Sequence, residues 1–166
     1  IQVPSFRIGA TPTTNAEFLE FVEDGGYEQS EFWTSNPISQ AVAKQGSRDS
    51  WAWVSDTGIS APTLWDKDCS NGNWGVRTPC DGVVSFNISA DWPAMVTLFE
   101  AAAFCQWKGN GARILSEVEF HAVFGDDQRV FNSAAREGNN NWKYRTAIPV
   151  GTMDDGVRIH ENQVEA

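Results

Sequence analysis

Three short segments of the chain carry the same helix-start signal, and their spacing narrows the folds open to it. Thr14-Asn15-Ala16-Glu17, Thr97-Leu98-Phe99-Glu100 and Ser116-Glu117-Val118-Glu119 each read Ser/Thr-x-x-Glu. In such a capping box the hydroxyl accepts from the amide three residues on, and the glutamate reaches back to the amide of the cap residue. The first helix is expected to bury Phe18, Leu19 and Val22 and to stop before Gly25-Gly26. The second is expected from Leu98 to about Lys108, with Leu98, Ala101, Phe104 and Cys105 as its apolar stripe and Gly109 and Gly111 at its end. The third is expected to bury Val118 with Phe120 or His121 and to stop near Gly125.

The rest of the sequence has weaker periodicity. Residues 3–10 alternate apolar and polar side groups and read as a short strand. Glu31-Phe32-Trp33 reads as a helical turn. From Tyr27 to Cys80, Trp51, Trp53, Trp65 and Trp74 stand among Gly, Ser, Asp and Asn. A loop of that length needs anchors in a compact domain, so short strands and packed loops pinned by these rings are expected. Val83 to Ile88 reads as a strand, and Trp92 to Val96 as an extended segment with Pro93 at an edge. Residues 132–142, with Gly138 and three consecutive Asn, read as a loop, and Ala147 to Gly151 as a short extended piece. Residues 153–166 form a weakly patterned tail.

Composition supports this outline. A length of 166 residues suits one domain, and 41% hydrophobic residues exclude disorder by composition. Eight Trp and ten Phe can build a core from wide rings, while 14 Gly and 7 Pro break the backbone's regularity often. The fold class is therefore α+β with little regular secondary structure. The net charge of −10 argues against nucleic acid as a partner. The acidity reads as a solvated surface, with a basic partner or a calcium site as the alternatives. No apolar run reaches membrane-spanning length, and the N-terminus does not read as a signal peptide. Ile1 in place of an initiator Met suggests a fragment or a processed product. Three cysteines are too few and odd for a disulfide framework, which favours free thiols in the cytoplasm. Cys105 reads as a small buried hydrophobe; Cys69 and Cys80 could pair, and their spacing fits no zinc pattern.

Chemistry-bearing constellations are scarce. His121 and His160 are far apart and read as helix-face and tail residues, not as metal ligands. There is no phosphate-binding Gly-rich loop and no Gly-x-Ser-x-Gly elbow. The close pairs Asp66/Asp68, Asp126/Asp127 and Asp154/Asp155 are turn residues or, alternatively, loop ligands for calcium. The box glutamates Glu17, Glu100 and Glu119 already have a structural task. Trp51 and Trp53, two apart, would face one side of an extended segment and either line a pocket or anchor the core. Trp142 and Arg145, beside Tyr144, could meet a ligand carboxylate next to a cationic or aromatic group. These four are the candidate substrate-binding residues; no catalytic residue and no metal ligand is identified.

The ordered motifs resemble the formylglycine-generating-enzyme, or sulfatase-modifying-factor, domain family. Thr13 to Tyr27 looks like its opening helix. The Phe-Val-x-Asp-Gly-Gly-Tyr form followed by Phe32-Trp33 is closer to the family's sulfoxide-synthase branch. Ala61-Pro62-Thr63-Leu64-Trp65 resembles the Pro-x-x-Trp strand of that branch. Trp92 to Ala101 and Ala103 to Gly109 resemble the central helix. Arg113-Ile114-Leu115-Ser116-Glu117-Val118-Glu119-Phe120 corresponds to Arg-Leu-Pro-Thr-Glu-x-Glu-Trp/Phe, and Pro149-Val150-Gly151 fits a later strand. The likeness spans about residues 5–152. Leu115 and Ser116 replace the expected Pro and Thr, which keeps the cap.

The resemblance implies an irregular C-type-lectin-like fold over residues 1–152, incomplete at its C-terminus, and a tail over 153–166. The Gly-Asn-Val-Trp-Glu-Trp and Arg-Gly-Gly-Ser segments of the family are missing. None of Cys69, Cys80 or Cys105 matches the copper-binding cysteines of formylglycine-generating enzymes. The implied function is part of a non-haem-iron sulfoxide synthase of the ergothioneine type, inactive alone. Such an enzyme joins cysteine or γ-glutamylcysteine to a histidine derivative with O2, and this domain would shape the substrate cleft. Iron(II) would sit outside these residues, on an N-terminal helical domain of the same polypeptide. An ovothiol synthase fragment and a non-catalytic lectin-like binding module are the alternatives, with a formylglycine-generating enzyme third.

Overall fold

Thr14 starts helix α1 (Asn15–Glu23) as its box requires. The Glu17 amide donates to Thr14 Oγ1 at 3.2 Å, and the Thr14 amide donates to Glu17 Oε2 at 2.9 Å. A computed structural model describes residues 3–9, 11–46, 50–67, 72–79 and 81–124. The further elements are α2 (Ser30–Thr34), α3 (Pro37–Lys44), α4 (Ser50–Thr57), β1 (Trp65–Lys67), β2 (Trp74–Thr78), β3 (Gly82–Ser85), α5 (Phe86–Ser89), α6 (Leu98–Lys108) and α7 (Glu117–Phe124). The strands form one antiparallel sheet in the order β1-β2-β3, with Trp65 opposite Val76 and Val76 opposite Val84. Trp65 and Val76 turn inward, so one sheet face closes on the helices.

The core is a cluster of rings. Phe18 stacks on Phe104 at 5.2 Å between centroids and meets Phe21 and Trp65 edge-on at 5.3 and 6.0 Å. Trp65 in turn meets Phe86 edge-on at 4.6 Å, and Tyr27 tilts against Trp33 at 5.2 Å. Such pairs contribute about 0.5–1.5 kcal/mol each beyond the area they bury. Trp33 is fully buried, and its Nε1–H donates to the Gly26 carbonyl at 2.8 Å. The lack of a side chain at Gly26 also lets the Phe21 ring close in on it: a Cβ there would stand 2.1 Å from that ring.

Several expectations are corrected. Residues 3–9 form no strand; Phe6 and Ile8 are half-buried, but alternation without a ladder partner sets a face and nothing more. On α1 the deep residues are Phe18 and Phe21, while Leu19 and Val22 are half-buried at its flank. Two helices, α3 and α4, occupy part of the stretch expected to hold short strands and loops. The start of α3 is chemically specified: Asn36 Oδ1 accepts from the Ser39 amide at 2.8 Å, and Pro37 opens the first turn. Strand β3 stops at Ser85, whose hydroxyl accepts from the Asn87 amide at 3.3 Å and turns Phe86 to Ser89 into a helix. On α6 the buried residues are Glu100, Ala102, Ala103 and Phe104, and Leu98 is 56% exposed. On α7 Val118 is exposed and Glu119 is buried instead.

Other expectations hold. The Glu31-Phe32-Trp33 turn is α2, and α6 spans Leu98 to Lys108 with a complete capping box. Pro93 does lie at an edge: it bridges Thr14, and the bonds are made by its neighbours, Asn15 N–H to Trp92 O and Ala94 N–H to Thr13 O, both 2.9 Å. No helix among the described residues is long and apolar enough to cross a membrane.

Candidate functional site

Among the described residues the most deeply set acidic side chain is Glu100. Its residue is 1% exposed, because α6 turns this face toward α1 and α2. One carboxylate oxygen closes the capping box by accepting from the Thr97 amide at 2.6 Å. The other accepts from the Tyr27 hydroxyl at 2.5 Å, across 73 positions of sequence. Burial, then the facing Glu100 charge, pushes the Tyr27 phenol far above its ordinary value. The bond ties α6 to the turn between α1 and α2.

A second carboxylate is held at the start of α7. Glu119 Oε2 accepts from the Ser116 amide and hydroxyl at 2.9 and 2.7 Å, and both its oxygens accept from the Arg113 guanidinium in a bidentate pair. The Arg113 bonds, followed by those from Ser116, lower the Glu119 carboxyl to about 2, and the same pairing raises Arg113. On the open face of the sheet, Arg77 pairs with Asp66 at 2.6 Å and lowers that carboxyl.

Two open hollows lie beside α1. One, about 480 Å³, is lined by Glu17, Glu20, Phe104, Trp107 and Lys108. Lys108 Nζ already lies 5.4 Å from the Phe104 ring centroid and 4.0 Å from Glu17 Oε1, and Trp107 Nε1–H donates to Asp24 at 3.1 Å. The other, about 410 Å³, lies between Glu23, Lys67, Trp74 and Phe86. There Lys67 Nζ covers the Trp74 ring at 4.9 Å. Each hollow thus has a lysine in its wall, set over an aromatic ring.

The candidate residues part company here. Trp51 and Trp53 lie on α4, not on an extended segment. Two residues apart on a helix are about 200° apart around its axis, so they do not share a face. Both are half-buried against the core, Trp53 with its ring 6.2 Å from Trp33, and neither lines either of these two hollows. Trp142 and Arg145 lie outside the described residues, as do Cys69, Cys80, Asp68, His160, residues 126–127 and residues 147–155. His121 is exposed, with its ring 6.0 Å from Phe120. Cys105 is half-buried, and burial pushes its thiol up against the opposing pull of Lys108. Among the described residues, no group of three or more His, Cys, Asp or Glu converges as metal ligands would. The described donor set does not fit an iron centre. Sequence reasoning misses the Tyr27–Glu100 pair, for which a box glutamate on an otherwise apolar helix face is the available signal.

Short capped helices packed on a small antiparallel sheet make this a mixed helix-and-sheet domain. The sulfatase-modifying factor enzyme 1-like domain matches residues 1–156, and the chain belongs to that family. It is similar to hercynine oxygenase of Mycolicibacterium smegmatis, at 36% identity over 121 residues that make up 72% of this chain and 23% of that protein. The hercynine oxygenases of Mycolicibacterium thermoresistibile and Mycobacterium tuberculosis are each 37% identical over 121 residues, again 72% of this chain, covering 22% and 23% of their lengths. The match thus spans less than a quarter of the length of these relatives.

Proposed function

We propose that this protein is part of a non-haem-iron sulfoxide synthase of ergothioneine biosynthesis. The enzyme would form a C–S bond between cysteine or γ-glutamylcysteine and a histidine derivative, using O2. The observation that carries this reading is the 36–37% identity to three proteins named hercynine oxygenase. In this reading residues 1–152 form a C-type-lectin-like domain with a tail over 153–166, and the domain shapes one side of the substrate cleft. Trp142 and Arg145 are the residues proposed to meet a substrate carboxylate; Trp51 and Trp53 are assigned to core packing. Iron(II) is assigned to an N-terminal helical domain of a longer polypeptide.

The experiment is an assay of the longer polypeptide with iron(II), O2 and each thiol, offered trimethylated histidine or plain histidine. A sulfoxide product with trimethylated histidine is expected. Product from plain histidine alone would make this an ovothiol synthase. No product and no iron would leave a lectin-like binding module. Tight stoichiometric iron binding by the 166 residues alone would also count against the assignment.

A further inference from the structure

The turn after α6 has a feature the proposed activity does not use. Gly109, Asn110 and Gly111 have φ of 67°, 52° and 75°, three successive residues of positive φ. Asn110 is the one non-glycine residue with positive φ among the described residues. Asn enters that region more readily than most residues, so the turn is a natural helix end. Asn110 and Gly111 are both exposed, and no atom lies within 4 Å of where a Cβ on Gly111 would stand. The backbone bonds here are made by Gly109 and Ala112: Gly109 N–H donates to Cys105 O at 3.2 Å, and Ala112 N–H donates to Gly109 O at 2.9 Å. The Gly111 N–H makes no backbone–backbone hydrogen bond among the described residues.

We propose that Asn110 is a site of spontaneous deamidation and isomerisation in the folded protein. The Gly111 backbone nitrogen gives its proton to solvent base and attacks Cγ of Asn110. A new bond between that nitrogen and Cγ closes a five-membered succinimide, while the bond from Cγ to Nδ2 breaks and Nδ2, taking a third proton from solvent, leaves as ammonia. Water then adds to one of the two ring carbonyls. Opening at the backbone carbonyl routes the main chain through Cγ as isoaspartate; opening at the other carbonyl leaves ordinary aspartate. No redox partner is needed. Three conditions meet here: a following residue with no Cβ to obstruct attack, an amide N–H free of the backbone ladder, and solvent access. Attack requires rotation about the Asn110 ψ, and a glycine on each side eases that rotation. Either product places a carboxylate at the C-terminal end of α6, where the helix dipole disfavours negative charge. It also alters the segment leading to Arg113 and its clamp on Glu119.

The purified native protein is aged at mildly alkaline pH, and proteolytic peptides are mapped by mass spectrometry with isoaspartate methyltransferase labelling. The peptide containing Asn110 is expected to gain isoaspartate at a rate comparable to the same peptide free in solution, and faster as pH rises. Asn110→Gln is expected to lose the signal from that peptide. The separate peptide holding the other Asn-Gly step, Asn71-Gly72, reports independently. An Asn110 that stays intact in the native protein while the free peptide converts would overturn the proposal, and that comparison needs no variant to fold.

Discussion

Replacing Tyr27 with Phe isolates the contact that turns α6 inward. The ring is retained, with its packing at 5.2 Å from Trp33 and 5.7 Å from Phe21. What is lost is one O–H···O⁻ bond, the 2.5 Å contact to Glu100 Oε1. Hydrogen bonds to charged groups contribute about 1.5–3 kcal/mol, and an orphaned buried acceptor loses the full cost of its desolvation. Glu100 is 1% exposed, so water does not readily replace the phenol, and the upper half of that range, about 2–3 kcal/mol, applies. For a protein of this size that is a fall in Tm of about 4–12 °C. Urea unfolding followed by Trp fluorescence measures it. Glu100→Gln and the double variant complete a cycle, in which coupling of about 1 kcal/mol or more is expected. A Tyr27→Phe protein within about 0.5 kcal/mol of the parent would refute the reasoning. The phenol would then not be holding a buried carboxylate, and the orientation of α6 would have another cause.

Gly26→Ala should cost at least about 1–3 kcal/mol, because its Cβ would meet Phe21 and the ring is locked by its neighbours; the same urea titration reads it. Thr97→Ala, which removes the acceptor of the Glu100 amide at 3.3 Å, should cost about 1 kcal/mol by thermal melt. Glu119 has a folded value of about 2, below its ordinary 4.5, so its pairing with Arg113 stabilises fully above the ordinary value and is lost as pH falls toward 2. Acid titrations of Glu119→Gln should therefore lack that part of the pH dependence, and an unchanged acid profile would speak against the clamp.

The capping boxes show what is open to sequence reading. Each depends on groups three residues apart, so the four letters already contain both partners. All three starts, the extent of α6 and its glycine end follow from local chemistry. The family is legible for a related reason: a string of caps, glycines and aromatics in fixed order marks one scaffold. The Asn36-Pro37 start of α3 is equally local, and Ile38, Ala41 and Val42 follow it at helical spacing, so this helix is legible; the repeat is only two turns long and is easily passed over. Trp51 and Trp53 fit either an extended segment or a helix, since a short apolar run with no flanking repeat does not fix its own period; packing against Trp33 resolves it as helix.

Which face of a helix goes inward is a different kind of question. On α6 the apolar count favours Leu98 and Ala101, yet Glu100 is buried and Leu98 exposed, because Tyr27 supplies a donor from 73 positions away. On α7 Glu119 displaces Val118 from the interior, because Arg113 and Ser116 satisfy both its oxygens. The sequence alone determined where the capped helices begin, since those bonds close within one turn. Only the tertiary structure decided what they bury, since a charge can leave water only where other residues have been brought to receive it.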